Sequence, residues 1–83
     1  MKKAEKAEAE RKRLERIIVA VLKASREDLD VSRAELADRL GWKPEQIADL
    51  EIGRRIVRGA DLILIPRALG IEPEKLFQRV MRW

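Results

Sequence analysis

The sequence contains no cysteine and no histidine. Without cysteine the chain can form neither a disulfide nor a thiolate metal site. Without histidine it lacks the commonest metal ligand and the commonest general base. The remaining carboxylates show no pattern that would group them around a cleft. We therefore expect no metal, no cofactor and no enzymatic activity.

Long apolar runs are also missing. No run approaches the about 18 residues that a membrane-spanning helix needs, and the charged start, Met1–Glu5, is not followed by the apolar core of a signal peptide. We expect no membrane partner and a cytoplasmic location. Tyrosine is absent, glycine occurs four times and proline three times. Alanine, leucine and charged residues dominate, which favours helix over strand.

Apolar spacing and capping signals predict five helices and no strand. Leu14, Ile17, Ile18, Val21 and Leu22 recur at the helical period, which predicts a helix near 10–24. Ser32 and Glu35 form a capping-box pattern that opens a helix over 33–40, with Gly41 as its left-handed end. Further helices are predicted over 44–52, 60–69 and 73–81, of which two begin with proline at the first turn.

The charges are unevenly distributed along the chain. Residues 1–16 carry seven Lys or Arg against four Glu, and residues 52–83 carry seven bases against three acids. Residues 17–51 instead carry five bases against eight acids. The whole chain has a formal net charge of +4. This basic balance permits a polyanionic partner but does not by itself indicate one.

The second and third predicted helices, joined through a glycine turn of about three residues, have the helix-turn-helix arrangement. The segment 32–71 resembles the Xre/Cro family of phage-repressor-like regulators. The positions that carry this resemblance are Ser32, Leu36, Ala37, Leu40, Gly41, Ile47, Glu51, Gly53, Ala68, Leu69, Gly70 and Ile71. The resemblance implies an all-α, five-helix, lambda-repressor-like helix-turn-helix domain over 14–83. Residues 1–13 are expected to be a charged N-terminal extension that either lengthens the first helix or frays.

The resemblance also implies which residues would contact double-stranded DNA. The third helix would lie in the major groove and present four residues to the bases: Pro44, Glu45, Gln46 and Asp49. Gln46 suits adenine, and Glu45 could accept a hydrogen bond from cytosine. Five cations would contact phosphates: Arg33, Lys43, Arg54, Arg55 and Arg58. Glu51 would have a structural role, bracing the loop after the third helix.

The expected function is therefore sequence-specific transcriptional regulation, with repression as the first interpretation, by a homodimer. Val80, Met81 and Trp83 lie where little chain remains to cover them, so they are candidates for the dimer interface, with the N-terminal helix as the alternative contact. The acidic residues of the third helix, Glu45 and Asp49, favour an alternative, in which the fold serves as a protein-protein interaction or adaptor module. Pro66, inside the fourth helix, predicts a kink there.

Overall fold

The computed structural model describes residues 2–83, and over these residues it contains five α-helices and no strand. Their bounds are α1 Lys3–Asp28, α2 Arg33–Leu40, α3 Pro44–Glu51, α4 Asp61–Ala68 and α5 Pro73–Arg82. The all-α fold class and the number of helices are confirmed. No helix within this range is long and apolar enough to cross a membrane.

Helix α1 is longer than predicted at both ends. It begins at Lys3 and not near residue 10, and it ends at Asp28 and not near residue 24. Its first turns bury nothing large, but alanine and ion pairs one turn apart support them. Arg11 pairs with Glu8 and, at 3.4 Å, with Glu15. The charged extension is therefore a helical continuation of α1.

The core lies where α1, α2, α3, α4 and α5 meet. Helix α2 packs on both α3 and α4, while α1 contacts α3 and α5. The buried apolar side chains come from every helix and from the turns after α1 and α4: Val21, Leu22, Val31, Leu36, Ala37, Ile47, Leu50, Ile65, Leu69 and Leu76. Because α3 is buried along one edge only, its other edge is available to a partner.

Helix α2 has the bounds that its capping signals predicted. The backbone N–H of Glu35 donates to the Ser32 hydroxyl at 3.0 Å, which is one half of the capping box. The Glu35 carboxylate is instead 3.8 Å from Arg39. Gly41 closes the helix in the left-handed region, with φ 70°. This conformation is favourable for glycine and costly for most other residues.

Helix α4 begins without a hydroxyl cap, because its N-cap residue is Ala60. The Asp61 carboxylate accepts the backbone N–H of Arg58 at 3.0 Å, so an acid inside the helix satisfies the amide that precedes it. Pro66 is fully buried and lies in the last turn of α4, where the helix continues to Ala68. The kink at Pro66 stays a prediction.

Candidate nucleic-acid interface

A tight turn sets the angle between α2 and α3. The backbone N–H of Trp42 donates to the Ala37 carbonyl at 2.8 Å, and that of Gly41 donates to the Asp38 carbonyl at 3.2 Å. These bonds satisfy carbonyls that the end of α2 would otherwise leave unpaired. The chain then reaches α3 through Lys43, which has an extended backbone, and Pro44 occupies the first helical position. The start of α3 is therefore fixed to the end of α2.

The two edges of α3 differ in burial. Ile47 and Leu50 are 1% and 2% exposed and anchor α3 in the core. Pro44 and Glu45 are exposed, and Gln46 and Asp49 are half-buried. The structure therefore places the four predicted base-contacting residues on the part of α3 that the core leaves accessible.

The Gln46 side chain is already hydrogen-bonded within α3. Its Oε1 accepts the backbone N–H of Lys43 at 2.8 Å, which caps the start of the helix. The amide oxygen retains a second lone pair, and the side-chain NH2 has two donors. Gln46 can thus still present one donor and one acceptor, the pair that an adenine edge requires.

Two arginines follow α3 in a turn that the α3 backbone holds. The Asp49 carbonyl accepts the backbone N–H groups of Arg54 and Arg55 at 2.8 and 3.1 Å. Gly53 enters this turn with φ 81°. Arg54 is exposed, as is Lys43 at the opposite end of α3. Both ends of the acidic helix thus carry an accessible cation.

Arg55 stacks on Trp42, a contact that the sequence did not indicate. The guanidinium carbon of Arg55 lies 4.1 Å from the centre of the Trp42 ring, and both residues are half-buried. This distance is that of a cation–π contact. The contact holds one face of the Arg55 guanidinium against the ring, and the N–H groups at the edge of the guanidinium remain available as donors.

Glu51 joins α3 to α1 and α2. The Arg26 guanidinium donates two hydrogen bonds to the Glu51 carboxylate, from Nε at 2.7 Å and from Nη2 at 3.1 Å. Arg33 Nε donates to the same carboxylate at 2.9 Å. Glu51 has the structural role that the sequence suggested, but these partners lie in α1 and at the start of α2, whereas the sequence placed its contact in the loop after α3.

The charged cluster is stabilised in its ionised form. Burial raises the pKa of Glu51, but the hydrogen bonds and charges of Arg26 and Arg33 outweigh it and hold that pKa below its ordinary value. The hydrogen bond to Glu51 raises the pKa of Arg26. Arg26 also donates to the Val31 carbonyl at 2.8 Å, so the cluster fixes the turn that leads into α2.

The five predicted phosphate-contacting residues differ in how accessible their side chains are and in whether they already have a partner. Lys43, Arg54 and Arg58 have exposed side chains. Arg33 is also accessible, with 43% of its side chain exposed, although one of its donors is bound to Glu51. Arg55 is held by the Trp42 ring. Sequence reasoning missed Arg26 and Trp42, whose roles come from contacts with residues distant along the chain.

Three large apolar side chains at the C-terminal end are exposed, Phe77, Met81 and Trp83, by 44%, 82% and 57%. Phe77 and Met81 lie one turn apart on α5, and Trp83 follows the helix. Leu76 is buried, and Val80 packs against the core from its edge. Of the three predicted interface residues, Met81 and Trp83 therefore present most of their surface to solvent. Val80 presents less, and Phe77 is a further exposed apolar residue of α5.

Comparisons with known proteins agree with this geometry. A family model described as helix-turn-helix matches residues 22–76. The chain is also similar to the crystal structure of the clp gene regulator ClgR from C. glutamicum, with a TM-score of 0.75 and 28% sequence identity. That similarity covers 83% of this chain and 90% of the other. No curated protein matches the chain significantly. The matched stretch contains all of α2, the turn and α3.

Proposed function

The chain belongs to the Xre/lambda Cro-like helix-turn-helix family, and from this premise we propose that it regulates transcription by binding specific sequences of double-stranded DNA as a homodimer. One observation carries the proposal. Helix α3 is anchored by Ile47 and Leu50, while its accessible edge is bounded at both ends by the exposed cations Lys43 and Arg54. The regulator neighbour and the family match agree with the prediction that the chain is not an enzyme.

We assign α3 the role of the recognition helix, with its accessible edge towards the DNA. In helix-turn-helix proteins this helix enters the major groove, and its N-terminal residues reach the base edges. Here those residues are Pro44, Glu45 and Gln46, with Asp49 one turn further along. Gln46 would pair with adenine, and Glu45 would accept from a cytosine amino group. The two acids would disfavour every base that lacks such a donor, which adds to discrimination.

The cations around α3 would supply the affinity that does not depend on sequence. Lys43, Arg54 and Arg58 are accessible, and Arg33 stands at the N-terminus of α2, where the helix dipole also attracts a phosphate. Contacts of this kind position a protein on the duplex but do not read bases. They would offset the repulsion between Glu45, Asp49 and the phosphates.

Repression is the regulatory mode that we propose. Occupying a DNA site is sufficient to exclude another protein from it, whereas activation requires an additional contact with the transcription machinery. We place the protein in the cytoplasm with its DNA, as its sequence predicts.

Two variants separate base reading from phosphate binding. Replacing Gln46 by Ala should weaken binding to the preferred site by about 1–3 kcal/mol and change binding to random DNA little. Replacing Arg54 by Ala should weaken both alike and reduce the slope of log affinity against log salt by about one unit per half-site. Fluorescence anisotropy at several salt concentrations measures both quantities. If both variants bind every DNA as the unmodified protein does, α3 does not read the groove.

The homodimer would form through the exposed apolar side chains at the C-terminal end, Phe77, Met81 and Trp83. Pairing doubles the few base contacts of one module and matches two-fold symmetric sites. Large apolar groups that stay exposed in a monomer commonly mark a subunit interface. The Arg79 guanidinium lies 5.6 Å from the centre of the Trp83 ring and is itself paired with Asp28 at 2.9 Å, so Trp83 is held next to α1.

Replacing Met81 by Ser together with Trp83 by Ala should convert the dimer to a monomer. Both side chains are mostly exposed in a single chain, so their loss should leave the fold intact. Light scattering coupled to gel filtration measures the mass, and Arg82→Gln on the same helix is the matched control. A mass that stays dimeric in the double variant would place the interface elsewhere.

A further inference from the structure

A groove with a volume of about 470 Å³ runs between α1 and the segment that follows α3. Its apolar lining comes from Val19 and Ala20 on one side and from Ile52, Ile56 and Val57 on the other. Ile52 and Ile56 are 58% and 77% exposed, which is high for isoleucine. The volume lies within the about 300–1,000 Å³ that small-molecule sites occupy.

The rim of this groove is cationic. Lys12, Arg16 and Lys23 line it from α1, and among residues 2–83 none of the three forms an ion pair. Their spacing of four and seven residues keeps them on one side of the helix. At about 1.5 Å per residue they extend over roughly 16 Å of α1. Arg55 lines the groove from the opposite side.

The carboxylates near the groove do not neutralise this rim. Glu51 also lines it, but its carboxylate is bound to Arg26 and Arg33, and only 2% of its side chain is exposed. Glu15 is accessible and lies 3.4 Å from Arg11. One accessible acid thus faces four bases, so the groove favours a negatively charged ligand.

We propose that this groove binds a small organic anion with an extended apolar tail, such as a medium-chain carboxylate. The tail would lie against Val19, Ile52 and Ile56, where it would cover apolar surface that is now in water. The carboxylate would accept hydrogen bonds from Arg16 and from a second cation of the rim. An elongated groove lined with cations suits this combination of charge and shape.

Titration of the isotope-labelled protein, residues 1–83, with decanoate tests the proposal. Decanoate below its micelle-forming concentration should shift the amide resonances of 12–23 and 52–57 and reach saturation. It should bind at least tenfold more tightly than acetate, which lacks the tail, and than decanol, which lacks the charge. Equal affinity for decanoate and decanol would overturn the anion assignment. Shifts confined to residues 77–83 would overturn the site.

Two exposed side chains provide variants that should leave the fold intact. Arg16→Gln removes a rim charge, and Ile56→Ser removes part of the apolar wall. Each should weaken decanoate binding at least fivefold, whereas Lys3→Gln, which changes α1 outside the groove, should not. Unchanged binding in both groove variants would overturn the proposal. Because no DNA is present in these measurements, the result does not depend on the proposed function.

Discussion

Replacing Glu51 by Gln should lower the free energy of unfolding by about 3–5 kcal/mol, the cost of breaking a buried ion pair by removing one partner. The substitution leaves the guanidinium of Arg26, a residue that is 8% exposed, without its carboxylate. It also replaces an accepting oxygen by an NH2 group, which can only donate, beside the N–H donors of Arg26 and Arg33. Arg33 contributes less to this loss because water reaches its side chain.

Urea denaturation followed by circular dichroism measures this effect. Glu45→Gln is the matched control, since it removes the same charge from an exposed position of the same helix and should change stability by no more than about 0.5 kcal/mol. Single domains are stable by only about 5–15 kcal/mol, so the Glu51 variant should approach the limit of folding. A loss equal to that of the control would mean that the buried cluster does not stabilise the domain.

The stability of the Glu51→Gln variant should depend less on acid than that of the unmodified protein. Because the folded protein lowers the pKa of Glu51 from its ordinary value of 4.5, ionised Glu51 stabilises the fold above that value. This contribution is lost as the pH falls through the lowered pKa. The difference in stability between the unmodified protein and Glu51→Gln should therefore be constant near neutral pH and should shrink in acid.

The bounds of α2 could be predicted from the sequence because local signals determine them. Ser32 accepts an amide at the start of the helix, and Gly41 adopts the left-handed conformation at its end. Proline at the first turn gave the starts of α3 and α5 in the same way. In each case the interaction that ends or begins the helix lies within a few residues of the boundary.

The start of α1 could not be predicted in this way. The prediction followed apolar periodicity, which reports burial, and the first turns of α1 bury no large side chain. Ion pairs such as that between Arg13 and Glu10, 3.4 Å apart, lie on an exposed helix and leave the apolar pattern unchanged. Helix propensity and charge pairing thus stabilise the first turns of α1, and apolar periodicity does not detect either of them.

The contacts that position the candidate interface are also absent from the local pattern. Arg26 and Glu51 are 25 residues apart, and the pairing of α1 with α3 brings them together. The stacking of Arg55 on Trp42 likewise depends on how the chain returns after α3. The residues on the accessible edge of α3 were predicted through the resemblance to the Xre/Cro family, and the burial of Ile47 and Leu50 on the opposite edge agrees with that prediction.

The unmodified protein should discriminate strongly between DNA sequences. Specific regulators bind their sites about 10³–10⁷ times more tightly than random DNA at physiological salt. The accessible edge of α3 carries two acids, which should repel DNA that offers them no hydrogen-bond donor. The affinity for random DNA should therefore be low. Log affinity should still fall linearly with log salt, because Lys43, Arg54 and Arg58 would release counterions from phosphates.

Selection of bound fragments from a random-sequence DNA pool, followed by affinity measurements over a range of salt concentrations, tests most directly whether α3 reads DNA. We expect enrichment of a two-fold symmetric sequence that binds at least about 10³-fold more tightly than unselected DNA at physiological salt. Affinities that agree within a few-fold for all sequences, selected or not, would contradict base reading by α3.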